Sequence, residues 1–210
     1  MFSRLFTLAL LVLVDLPVDA APVLNSDLNR MEETRKEQEE ALKTYRELAQ
    51  KEPNTYLPEV AQTLNNLGIV DIAQNRAEEA RKAFEEALKI YRKLEQKNPG
   101  TYLPYVATTL NNLGVLDHAQ SRLEEARKAL EETLKTYRDL AEKNPETYLP
   151  NVALALNNLG ILSTDQHQTE EARRAFEEAL KIYEAYAKQN SEQFSSDVKR
   201  VEKLLEELQR

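Results

Sequence analysis

The 210-residue chain contains no cysteine, so disulfides, thiolate metal sites and cysteine nucleophiles are excluded. Four glycines leave little material for phosphate-cradling loops. Two histidines, His118 and His167, stand far apart in sequence, which argues against a histidine-based metal site. Basic residues are the minority, 28 against 36 acidic, for a formal net charge of −8. Nucleic-acid affinity rests largely on Lys and Arg against phosphates, so nucleic acid is not an expected partner. No Ser-His-Asp set and no metal-ligand cluster is present, and no catalytic residue, metal or cofactor is expected. The acid pairs Glu85-Glu86 and Glu131-Glu132 recur on a charged helix face and read as solvated, not as an acid–base pair.

The one long apolar run is residues 5–14, LFTLALLVLV. Arg4 precedes it, Pro17 breaks it, and Val18 and Ala20 stand at −3 and −1 of a cut before Ala21. This is the layout of a signal peptide. As a helix it would span only ~15 Å, half of a bilayer core, so no stable membrane insertion is expected after cleavage. Residues 1–20 are therefore expected to be a signal peptide and 21–27 a short linker. The chain is expected to be exported, periplasmic or secreted, if that segment is cleaved, and cytoplasmic otherwise.

Repetition dominates the remainder. Thr55-Tyr56-Leu57-Pro58 recurs at Thr101-Tyr102-Leu103-Pro104 and at Thr147-Tyr148-Leu149-Pro150, a period of 46 residues. Units 55–100 and 101–146 agree at 32 of 46 positions, and 147–192 agrees with the first at 27. The register continues outward on both sides. Residues 28–54 read as a half unit, and 193–210 as a capping helix that has lost the LNNLG core.

Each unit predicts two helices. Helix A covers about 56–73, with Pro58 in its first turn, and its equivalents are about 102–119 and 148–165. Helix B covers about 76–97 and ends at Asn98-Pro99-Gly100. Ser121-Arg122-Leu123-Glu124 has capping-box spacing, Asn75 stands at the same place in the first unit and His167 in the third. Val60, Leu64, Leu67 and Gly68 form one stripe on helix A; Ala80, Phe84, Ala87, Leu88 and Tyr91 form another on helix B. Gly68 and Ala80 predict a close helix approach. Neither stripe can be buried alone, so the units must stack. Val198, Val201, Leu204, Leu205 and Leu208 give the last helix an apolar face to cover the final unit.

Leu64, Leu67-Gly68, Ala80 and Phe84, with their counterparts Leu110, Leu113-Gly114, Ala126 and Leu130, and Leu156, Leu159-Gly160, Ala172 and Phe176, resemble the tetratricopeptide repeat pattern. The family period is 34; the longer period here is similar to the repeats of kinesin light chains and many bacterial members. The resemblance implies an all-α, right-handed superhelical solenoid of antiparallel helix pairs with a capping C-terminal helix. At the family's usual Tyr position stand Asp71, Asp117 and Ser163. Two readings are open there: an acidic pair meeting a basic ligand, or a position turned toward solvent.

The resemblance also implies a concave groove lined by helices A. Carried over residue by residue, its positions are Gln62, Asn65, Asn66 and Ile69, then Thr108, Asn111, Asn112, Val115 and His118, then Leu154, Asn157, Asn158 and Ile161, with Ile72 and Thr164 beside them. A side-chain amide both donates and accepts, so it can satisfy a peptide backbone of any sequence. With helices ~10 Å apart, a ladder of Asn66, Asn112 and Asn158 would span ~20 Å, about six extended residues. The alternative is that these amides bond neighbouring helices. Helices A carry no Lys or Arg, so a neutral or basic peptide fits better than an acidic one. The expectation is a non-catalytic protein-interaction scaffold holding such a segment; the alternative is a structural module that self-associates through its ends or convex face. Oligomeric state is not legible.

Overall fold

Stripes with a 3.6-residue period and no strand-like alternation leave the chain one way to bury its apolar side chains. The computed structural model describes residues 21–209, which form helices and no strand; the expected signal segment 1–20 lies outside them. The helices are α1 (Ala21–Lys51), α2 (Pro53–Ala73), α3 (Ala77–Lys97), α4 (Leu103–Ala119), α5 (Leu123–Lys143), α6 (Pro145–Asp165), α7 (Thr169–Ala187) and α8 (Ser191–Leu208). Residues 21–27, expected as a linker, are the first turns of α1.

Two compact units divide between Gln120 and Ser121, inside the second sequence repeat. In the first, α2 packs against α1 and α3, and α4 against α3. In the second, α6 packs against α5 and α7, and α8 against α7. The expected stripes are buried: Val60, Leu64, Leu67 and Gly68 on α2, and Ala80, Phe84, Ala87, Leu88 and Tyr91 on α3. A methyl group on Gly68 would lie 2.5 Å from the Phe84 ring, and one on Gly160 the same distance from Phe176. Glycine is therefore required at both crossings by the ring, not by backbone conformation. On α8, Phe194 and Val201 are buried, whereas Val198, Leu204, Leu205 and Leu208 are half-buried.

Aromatic pairs bind each helix B to the start of the next helix A. Tyr45–Tyr56 and Tyr91–Tyr102 in the first unit, and Tyr137–Tyr148 and Tyr183–Phe194 in the second, all have ring centroids 6.4 Å apart.

Two helix starts differ from the sequence expectation. Helices α2 and α6 start a turn early, at Pro53 and Pro145, so Pro58 and Pro150 lie inside them, not in the first turn. A proline at N1 has no intrahelical bond to lose, which favours the earlier start. Helix α4 does begin near the expected place, because Gly100 takes φ +85° and stops the turn. Both Glu95 oxygens hold this linker: one accepts the Gly100 N–H, the other the Tyr102 N–H at 2.7 Å. Ala49 and Ala141 occupy the Glu95 register elsewhere and cannot do this.

The expected caps at Asn75, Ser121 and His167 are corrected. All three have left-handed φ, 61°, 59° and 59°. They close helix A and do not open helix B. Asn75 N–H bonds the Ile72 carbonyl at 3.0 Å and Arg76 N–H bonds Asp71 at 2.7 Å; His167 and Gln168 repeat this on Thr164 and Ser163. This is the pattern of a Schellman closure, in which polar residues tolerate the left-handed turn. Side-chain caps occur instead at Asn144 and Asn190, which accept from Thr147 and Gln193 N–H.

Candidate functional site

The Leu-Asn-Asn-Leu-Gly run sends its two leucines and glycine into the core, which leaves the asparagines beside or outside the helix interface. On α2, Gln62, Asn66 and Ile69 are exposed and Asn65 is half-buried. On α4, Thr108 is exposed, and Asn111, Asn112 and Val115 are half-buried. On α6, Leu154 is exposed, and Asn158 and Ile161 are half-buried. Two expected contact residues are not on an open face: His118 is 5% exposed and Asn157 3%.

The amides also act between helices. Asn112 Nδ2 donates to Asn65 Oδ1 at 3.1 Å, joining α4 to α2. Thus one amide proton of Asn112 serves the fold. Asn157 is the α6 counterpart of Asn65, and its Oδ1 is buried with no hydrogen-bond partner. The register that supplies the donor on α4 is occupied on α8 by Leu204, which has none.

Sequence reasoning missed Tyr105. It follows the spacing of Thr108, Asn112 and Val115 along α4 and is 47% exposed. Its counterparts are Glu59, Asn151 and Asp197, and that break in the repeat was the available signal. Tyr105 stacks on Tyr91 at 5.2 Å, beside Tyr102. Burial, first of all, raises the Tyr91 pKa, with Tyr105, Glu59 and Tyr102 adding to it. Exposed large apolar residues gather on helices A: Ile69, Ile72, Tyr105 and Leu154, with Met31 of α1 the further case among the described residues.

Both open readings of the acidic pair are overturned. Asp71, Asp117 and Ser163 are buried, so they face neither ligand nor solvent. Arg35 of α1 donates from Nε to Asp71 Oδ1 at 2.7 Å, Arg81 of α3 pairs with Asp117, and Arg127 of α5 reaches Ser163 Oγ at 3.3 Å. The hydrogen bond to Asp71 is the chief cause of a raised Arg35 pKa. In the third pairing a hydroxyl replaces the carboxylate, and Gln166 and Glu171 share the guanidinium, Glu171 at 2.7 Å. Each strut joins a helix B to the helix A beyond the next turn.

An open hollow of ≈570 Å³ lies in the second unit between the first half of α6, the end of α7 and the start of α8. It includes the expected contact residue Leu154. Among the described residues no group of three or more His, Asp or Glu could hold a metal. No helix among them is long and apolar enough to cross a membrane.

Comparison with known proteins places these features in context. Two family models described as tetratricopeptide repeat match residues 24–93 and residues 106–145 and 152–191. No curated protein matches the sequence. Among solved structures, BtubC (BKLC) from P. vanneervenii is 18% identical with a TM-score of 0.50, over 85% of this chain and 82% of that one. A DHF79 filament chain is 15% identical with a TM-score of 0.31, over 85% and 99%. At these identities the likeness concerns the fold alone.

Proposed function

Because the chain belongs to the tetratricopeptide repeat family, we propose that it is an interaction scaffold whose helix A faces bind an extended, neutral or basic peptide segment of another protein. Family membership carries the coarser statement, a protein–protein interaction scaffold. The finer one is supported by where the exposed apolar side chains lie. In the first unit Ile69 on α2 and Tyr105 on α4, and in the second Leu154 on α6, lie on helices rich in amides and hydroxyls that contain no Lys or Arg. Apolar anchors among neutral donors and acceptors suit a peptide read partly through its backbone. Without a cation on these helices, an acidic ligand has no partner for its charge.

The test is affinity capture with the full chain beside a Gln62→Ala/Asn66→Ala/Ile69→Ala variant. All three side chains are exposed on α2, so helicity should be unchanged. The expected result is a protein retained by the parent and lost by the variant. Equal capture by both would remove the helix A face from consideration. Export remains a proposal from residues 1–20; the mass of the protein isolated from its source reads a start at Ala21 if it holds.

A further inference from the structure

At the place in the first unit that corresponds to the hollow of the second, several residues differ, among them Leu94 for Tyr186, Tyr102 for Phe194 and Tyr105 for Asp197. On α4 the register position is Tyr105, whose ring stacks on Tyr91 at 5.2 Å. On α8 the same position is Asp197, short and charged. The space beside Tyr183 is open, ≈570 Å³, within the size range of specific ligand sites.

Its lining is aromatic below and acidic at the rim. Tyr183 and Phe194 stand 6.4 Å apart, and Tyr186 meets Phe194 edge-on at 5.5 Å. Tyr186 is fixed by its hydroxyl, which donates to the Pro145 carbonyl at 2.8 Å. Asp197 and Glu146 are the charged lining residues, and no Lys or Arg is among them. Burial chiefly, and the Asp197 charge after it, push the Tyr183 pKa up to about 12, against the nearby Arg200 guanidinium, which lowers it. Arg200 bonds Asp197 Oδ1 at 2.5 Å, so this carboxylate already holds one guanidinium. A carboxylate can accept more than one such contact.

We infer that this hollow is the seat for an arginine side chain of the bound peptide, stacked on Tyr186 and paired with Asp197 and Glu146. The inference rests on the peptide-binding reading and adds which residue the peptide must carry. Arginine fits better than lysine because its planar guanidinium can lie on a ring while pairing edge-on with carboxylates. An aliphatic side chain would use neither the Glu146 carboxylate nor the remaining acceptor capacity of Asp197.

The probe is a capped five-residue peptide with arginine at its centre and alanine elsewhere, titrated into the full chain and followed by backbone amide NMR. Shifts should gather at 146–154 and 189–197, and should vanish when glutamate replaces the central arginine. Glu146→Gln/Asp197→Asn should weaken binding by about fivefold, as expected on losing two charge-assisted contacts. Asp197→Tyr should abolish it by filling the hollow; Tyr105 shows that the register accepts that ring. A leucine-centred peptide binding equally well, or persistence in Asp197→Tyr, overturns the proposal. So does the absence of shifts from the arginine peptide. Shifts confined to α2 and α4 overturn it too, while leaving the peptide-binding reading intact.

Discussion

At Gly68 the space left by a missing methyl group is taken by the edge of Phe84. Gly68→Ala should therefore lower stability by about 1–3 kcal/mol, read from urea unfolding. Adding Phe84→Leu should return part of that loss, since Leu130 occupies this register in the second repeat. A neutral Gly68→Ala would disprove the close crossing. The crossing was legible because a glycine recurring on an apolar stripe has few other uses. The exposure of individual contact residues was less so. Gln62 and Asn66 are open as expected, but His118 and Asn157 are buried, because a helix stripe does not reveal how wide the neighbouring contacts are. Tyr105 was overlooked for a related reason: attention to what repeats passes over what breaks the repeat.

Between elements, the struts Arg35–Asp71 and Arg81–Asp117 set neighbouring helices against one another. Asp71 is 1% exposed, and Arg35 keeps only 15% of its side chain in water. Removing Asp71 leaves Arg35 with the exposed Glu39, at 2.6 Å, as its ion partner, and breaking a buried pair of this kind costs at most about 3–5 kcal/mol. Asp71→Ala should lose up to that much in thermal or urea unfolding. Asp117→Ser should lose clearly less, because Ser163 already serves at that register beside Arg127. If Asp71→Ala and a solvent-face control such as Lys82→Ala cost the same, the struts are not structural. These pairs were hidden in the sequence, since an arginine on a charged helix looks solvated until the helix 36 residues later is placed against it. Helix ends were hidden as well: Asn75, Ser121 and His167 suit both a cap and a left-handed stop, and only backbone geometry decides.

Across the molecule, the alkaline limit of stability falls to buried tyrosines. Tyr91 in the first unit and Tyr183 in the second both hold their protons more tightly folded than unfolded, mainly through burial. A raised folded pKa gives stability that is complete below the unfolded value of about 10 and lost as pH climbs through the folded one. For Tyr183 that window ends near 12. Urea midpoints should therefore drop above about pH 10, and Tyr183→Phe should flatten the drop; an unchanged slope would assign it elsewhere. The fold itself was almost wholly readable, because a 46-residue period with two apolar stripes admits little besides stacked helix pairs. The sequence period, however, marks its units from the wrong joint for anyone wishing to recombine them. Each strut runs from a helix B into the following helix A, and the compact units part at Gln120 and Ser121. A cassette cut at the left-handed residues, 76–121 or 122–167, carries its own guanidinium and acceptor together. One cut at the TYLP tetrapeptide separates them. Shuffled or lengthened versions of this chain should be spliced at Asn75, Ser121 and His167.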